Sequence, residues 1–157
     1  MPPPKRSLSR DVRVSAFIKA RPEKVYGALT SARELCLFWL ESAETDARSG
    51  GRFRMVWPSK DGEGCEASAV FVDLQPGEKV AWLFDARSRR GGRVPALVNV
   101  FIERKSRGAQ ATLLHAGFSG AVSQDKLFLA FRALWADCLA SLKDYLECGR
   151  SGPMRPS

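Results

Sequence analysis

Apolar residues alternate with polar ones through most of this chain before residue 120, and the alternation breaks the sequence into strands. From Asp11 to Lys19 the positions Val12, Val14 and Ala16 share one phase, which predicts an opening strand. Pro22 then suits the first position of a helix, with Glu23 near its positive end and Val25, Tyr26 and Leu29 as a short apolar stripe. Ser31 and Glu34 have the spacing of a capping box: the Ser31 hydroxyl accepts from one free backbone N–H and the Glu34 carboxylate reaches back to another. A second short helix therefore begins there and leads into Phe38, Trp39 and Leu40. A polar strand through Asp46 follows, and Ser49-Gly50-Gly51 turns the chain into a strand with Phe53, Met55 and Trp57 on one side.

Asp61-Gly62-Glu63-Gly64 makes the next turn. The strand after it carries Val70 and Val72 in one phase, read as its inward side, with Glu66 and Ser68 in the same phase toward a cavity mouth. Pro76-Gly77 turns into a strand where Val80, Trp82 and Phe84 fall together. Arg87 to Arg93, with Gly91-Gly92, is the longest loop. The last strands centre on Val98, Val100 and Ile102 and on Ala111 to Phe118. The pattern predicts about seven strands, all but the first consecutive.

From Ser123 to Cys148 the period becomes helical. Leu127, Phe131, Leu134, Cys138, Leu142 and Tyr145 recur at steps of three or four, and Phe128, Trp135, Leu139 and Leu146 widen the stripe. So broad a face needs a large apolar surface to cover, and the only candidate is the sheet. The predicted class is α+β, a curved antiparallel sheet wrapped around a long C-terminal helix. One domain over residues 11–149 is expected, between basic tails at 1–10 and 150–157 that are rich in Pro, Ser and Arg and read as mobile ends.

Composition narrows the function. At 157 residues and 45% hydrophobic content the chain suits a single domain with a real core. No apolar run reaches membrane-spanning length and the start lacks the apolar stretch of a secretory signal, so a cytoplasmic protein without membrane insertion is expected. The net charge of +8 invites a nucleic-acid reading. Lys5, Arg6, Arg10, Arg150 and Arg155 in the tails and Arg87, Arg89, Arg90 and Arg93 in one loop carry it, which leaves no basic helix face for a groove and no specific nucleic-acid partner. Cys36, Cys65, Cys138 and Cys148 lack any C-x-x-C pairing and, with His115 the only histidine, read as free thiols rather than a zinc site. Neither glycine pair opens a phosphate loop, and serine-elbow, H-E-x-x-H and EF-hand patterns are missing, so no metal or nucleotide cofactor is expected.

Five segments in this order carry a resemblance: Phe17-Ile18-Lys19-Ala20-Arg21-Pro22-Glu23-Lys24-Val25-Tyr26, Gly50-Gly51-Arg52-Phe53, Asp73-Leu74-Gln75-Pro76-Gly77-Glu78-Lys79-Val80, Thr112-Leu113-Leu114-His115-Ala116-Gly117-Phe118 and Leu142-Lys143-Asp144-Tyr145-Leu146. From Arg13 to Gly149 the chain resembles the SRPBCC, START-like or helix-grip superfamily. Within it, the chain is most similar to proteins like the C-terminal domain of the activator of the ninety-kilodalton heat-shock protein's ATPase, and to polyketide cyclase-like relatives. The resemblance implies a hydrophobic cavity between sheet and final helix that binds a lipid-, hormone- or polyketide-like ligand, in some relatives with cyclisation or aromatisation. It carries over no fixed catalytic set. Nor does it imply chaperone regulation, because the full-length activator has an additional N-terminal domain; a chaperone partner is only thinkable.

The expected ligand-binding residues are Phe53, Met55, Trp57, Val70, Val72, Trp82, Phe84, Val98, Val100, Leu113, Phe131, Leu134, Trp135 and Cys138. Trp57, Trp82 and Trp135 offer flat walls with one N–H each, and core packing is the competing use. His115 shares the phase of Ala111 and Leu113 and points toward the cavity, where an imidazole of pKa about 6.5 would serve as acid or base in a cyclase- or dehydratase-like reaction. A hydrogen-bonded core histidine is the plainer reading. Arg52 and Arg54 face away from the apolar side. Self-association is left open, as monomer or homodimer.

Overall fold

The computed structural model describes residues 8–60 and 63–149. The first strand, β1 (Ser9–Ile18), is followed by helices α1 (Pro22–Thr30) and α2 (Ala32–Phe38), strands β2 (Ser42–Thr45), β3 (Arg52–Lys60), β4 (Glu63–Gln75), β5 (Lys79–Phe84), β6 (Leu97–Lys105) and β7 (Gly108–Ser119), and helix α3 (Asp125–Cys148). The strands form one antiparallel sheet in the order β1-β7-β6-β5-β4-β3-β2. Six strands in succession make a meander, and β1 returns to pair with the last of them. The expected α+β helix-grip architecture is the one observed.

Local chemistry sets the boundaries. Pro22 opens α1 where no intrahelical N–H is needed, with Glu23 in the first turn. Ser31 Oγ accepts from the Glu34 N–H at 3.2 Å and starts α2. Only half of the expected capping box forms, because the Glu34 carboxylate accepts instead from the Tyr145 hydroxyl at 2.7 Å and ties α2 to α3. The loop expected from Arg87 to Arg93 contains a short 3-10 turn, Ala86–Arg89, capped by Asp85, whose carboxylate accepts from the Ser88 N–H at 2.9 Å.

Strand β1 starts inside the stretch read as a tail. Ser9 pairs with Ser119 and Arg10 with Phe118. Arg10 also donates to the Asp125 carboxylate at 2.6 Å and to the Ser119 and Ala121 carbonyls, with its guanidinium 4.6 Å from the Phe128 ring centre. Residues 1–7 and 150–157 of the expected tails, and Asp61 and Gly62 of the β3–β4 turn, lie outside the described residues.

The core lies between the inner face of the sheet and α3. Phe53, Met55, Phe71, Val80, Trp82, Phe84, Val98, Val100, Ile102, Ala111 and Leu113 enter it from the strands, and Trp135, Cys138, Leu139 and Leu142 from the helix. At the far end of α3, Lys143 Nζ donates to the Phe17 carbonyl at 2.6 Å and Glu147 accepts from the Lys19 N–H at 2.8 Å. Both ends of the helix are thereby fastened to β1. Among the described residues no helix is long and apolar enough to cross a membrane.

Candidate functional site

The inner face of the sheet is filled before it reaches the helix. Phe53 and Phe71 stack at 4.8 Å, Trp82 meets Phe53 edge-on at 5.1 Å, and Trp135 of α3 lies 5.9 Å from both Trp82 and Trp39. These rings close the deep part of the space expected to hold a ligand. Phe53, Met55, Trp82, Val98, Val100, Leu113, Trp135 and Cys138 are accordingly buried core residues.

What stays open is a pocket of about 320 Å³ near the N-terminal half of α3. Trp57, Ala67, Phe84, Phe131, Leu134 and Ala130 form its apolar walls, and Cys65, Glu66, Ser88 and Arg90 border it. Four residues expected from the sequence, Trp57, Phe84, Phe131 and Leu134, come together here. Cross-strand register brings in the others: Trp57 faces Cys65 and Met55 faces Ala67. Small or polar side chains at Cys65, Ala67 and Ala130 gave no apolar signal, and Ser88 and Arg90 belong to a loop with no periodicity to read.

Val70 and Val72, expected to line the cavity, do not line it. They stand on the outer face, 39% and 37% exposed, while Ala69 and Phe71 point inward opposite Phe84 and Trp82. Both faces of β4 are apolar here, so alternation alone does not choose between them, and the larger Phe71 ring takes the core. A bulge between Phe71 and Asp73 then sets Leu74 opposite Val80. Glu66 and Ser68 follow the valines' phase; the Glu66 carboxylate turns to Arg54 at 3.2 Å. Arg52 and Arg54 do face outward and pair with Glu44.

His115 points inward as expected and is fully buried. Its Nδ1 stands 3.0 Å from the Trp135 indole nitrogen and its Nε2 2.8 Å from the Pro95 carbonyl. An indole N–H only donates, so Nδ1 is the acceptor, and Nε2 carries the proton and donates to Pro95. Both nitrogens are thus occupied within the fold. Burial draws the imidazole pKa down to about 4, a fall that the Pro95 bond partly opposes. His115 is neutral at pH 7.

Among the described residues no group of His, Cys, Asp and Glu is placed to hold a metal ion. The Cys36, Cys65, Cys138 and Cys148 thiols are free. A broader groove of about 610 Å³ lies outside the core along Pro22, Gln75, Phe101 and Arg104, where Arg104 is paired with Glu23 and Lys79 with Asp73.

No curated protein matches the chain. Solved structures with the same fold include the Aha1 dimer from Colwellia psychrerythraea, at 21% identity over 90% of this chain and 98% of that one with a TM-score of 0.68. Protein SSP2350 from Staphylococcus saprophyticus shares 18% identity over 94% and 97% of the two chains, TM-score 0.71. Protein CV1439 from Chromobacterium violaceum shares 25% over 87% and 96%, TM-score 0.67. The family model described as "Activator of Hsp90 ATPase homolog 1-like protein" matches residues 19–147, most of the chain and every element from α1 through the last full turns of α3. The chain belongs to the family of activator of Hsp90 ATPase homolog 1-like proteins.

Proposed function

We propose that this protein binds a small apolar, ring-bearing molecule in the pocket between β3, β4, the Ala86–Arg89 turn and α3. The observation that carries the reading is the pocket itself: about 320 Å³ with three aromatic walls, Trp57, Phe84 and Phe131, at the small end of the range of about 300–1,000 Å³ usual for ligand sites. Burying about 300 Å² of apolar ligand surface at ~25 cal/mol per Å² gives about 7 kcal/mol before association costs. Apolar contact alone therefore yields affinities no tighter than about 10 μM.

A cyclase- or dehydratase-like reaction through His115 has less support, because neither ring nitrogen is free to meet a substrate. A chaperone partner is supported by no particular residue of this chain.

Native mass spectrometry of the purified protein tests for a retained ligand, and titration with neutral naphthyl probes, followed by tryptophan emission, tests the site. Ala130 stands exposed on α3 at the pocket wall, so Ala130→Trp fills the space without entering the core. Saturable binding that protects Cys65 from alkylation and is lost in Ala130→Trp is expected. Probes that fail to saturate the wild-type protein below about 1 mM, or bind Ala130→Trp equally well, would sink the reading.

A further inference from the structure

We propose that the pocket selects an aromatic carboxylate, its ring against Trp57, Phe84 and Phe131 and its carboxylate on the Arg90 guanidinium and the Ser88 hydroxyl. The proposal rests on the pocket being a ligand site and names what enters it.

An inventory of polar groups at the rim leads there. Ser88 Oγ accepts the Ser68 N–H at 2.9 Å, so one of its two lone pairs is engaged and its own hydrogen is left to donate. Arg90 has no acidic partner among the described residues and carries its full set of donors. Among the described residues Glu66 is the only acid bordering the pocket, and its carboxylate is held by Arg54 at 3.2 Å on the outer face of the sheet. Asp85, next along the loop, accepts the Ser88 N–H. The groups left for a guest are donors, and one of them is a cation. A complementary guest brings acceptors and a negative charge, and a carboxylate suits a rim that carries a guanidinium and a hydroxyl.

The loop holds these groups in place. Asp85 fixes Ser88 from its N-terminal side, Arg89 Nε donates to the Val94 carbonyl at 2.9 Å, and Arg93 Nε donates to the Arg90 carbonyl at 3.1 Å. Arg90 itself has φ 50° and ψ 56°, in the left-handed region. Glycine adopts that conformation without penalty and an arginine does so at a cost of about 1 kcal/mol. Gly91 and Gly92 follow at once, also with positive φ, so an all-glycine turn would close this loop more cheaply.

The test compares 2-naphthoate with its neutral isostere naphthalene-2-carboxamide by calorimetric titration of the full chain near pH 7.5, in about 50 mM salt so that screening does not mask the charge. Naphthoate is expected to bind the wild-type protein about tenfold tighter than the carboxamide, as a charge-assisted hydrogen bond allows. Arg90→Gln should bring naphthoate down to the affinity of the carboxamide. Arg87→Gln removes the same charge from the same loop at a residue that does not border the pocket, and should keep the preference. Equal affinities in the wild type, a preference that survives Arg90→Gln, or one that Arg87→Gln also abolishes would overturn the carboxylate assignment while leaving the pocket as a site for neutral rings. Failure of both compounds to bind the wild type would remove the pocket reading and this assignment with it.

Discussion

His115 makes the stability of this protein depend on pH in a direction that can be worked out beforehand. In the unfolded chain the imidazole titrates near 6.5; in the fold it is buried and its pKa falls to about 4. Protonation would also put a proton on Nδ1, facing the Trp135 N–H donor 3.0 Å away. The unfolded state therefore binds the proton more readily than the native state. The stabilisation is complete above the unfolded pKa and is lost as pH falls from 6.5 toward 4. The gap of about 2.5 units at 1.36 kcal/mol each amounts to about 3 kcal/mol, of which about 2.5 kcal/mol is lost by pH 4.5. With urea m values of about 1–3 kcal/mol/M, the unfolding midpoint should fall by roughly 0.8–2.5 M between pH 7.5 and 4.5. Carboxylates titrate in the lower part of this window, so the measurement is the difference between wild type and His115→Gln. The variant should be less stable at pH 7.5, because a new amide must replace two fitted hydrogen bonds, but should lack the histidine share of the slope. Parallel pH profiles for the two proteins would refute the assignment of a buried, neutral His115.

Three further outcomes follow from the packing. Cys65 and Cys148 are exposed and should react quickly with a thiol reagent such as DTNB, whereas Cys138 is buried with its thiol pKa pushed up by burial and by the Asp137 charge, and should react only on unfolding. Tyr145→Phe keeps the Phe38 stacking at 5.4 Å but loses the Glu34 bond, and should lower unfolding stability by about 1 kcal/mol in urea titrations. Gly51→Ala would drive a Cβ into the Asp46 carbonyl while Gly51 is pinned by backbone bonds to Arg48 and Phe71. A loss of about 2 kcal/mol is expected by the same assay.

The meander and the long helix were legible because their apolar periods were long and unbroken, and seven strands with α3 appear where the pattern put them. The family segments added order to the periods. The site was legible only where it is aromatic: Trp57, Phe84, Phe131 and Leu134 declare themselves, while Cys65, Ala67, Ser88 and Arg90 reach the pocket through strand register and a loop turn that no periodicity encodes. Val70 and Val72 misled because β4 carries apolar residues on both faces around its bulge. Arg10 misled in the other direction. Its composition reads as tail, yet a partner 115 residues away, Asp125, draws it into β1.

The pocket and the buried histidine are parts of one structure. Phe84 and Phe131, two walls of the pocket, lie 5.9 and 5.4 Å from the His115 ring and 6.4 and 6.2 Å from Trp135. The Trp135 indole is the only one of the four whose N–H finds a partner, since those of Trp39, Trp57 and Trp82 are buried without one, at a cost of about 1–3 kcal/mol each. A core that accepts such costs does so for ring volume, and that volume fills the deep space that a helix-grip sheet would otherwise leave empty. Trp39 and Trp82 both press on Trp135, Trp135 fixes the tautomer of His115, and His115 in turn carries Phe131 and Phe118 against its faces and edges. Acid strong enough to protonate His115 should therefore loosen the pocket walls together with the core, so ligand affinity and fold stability should fall over the same pH interval.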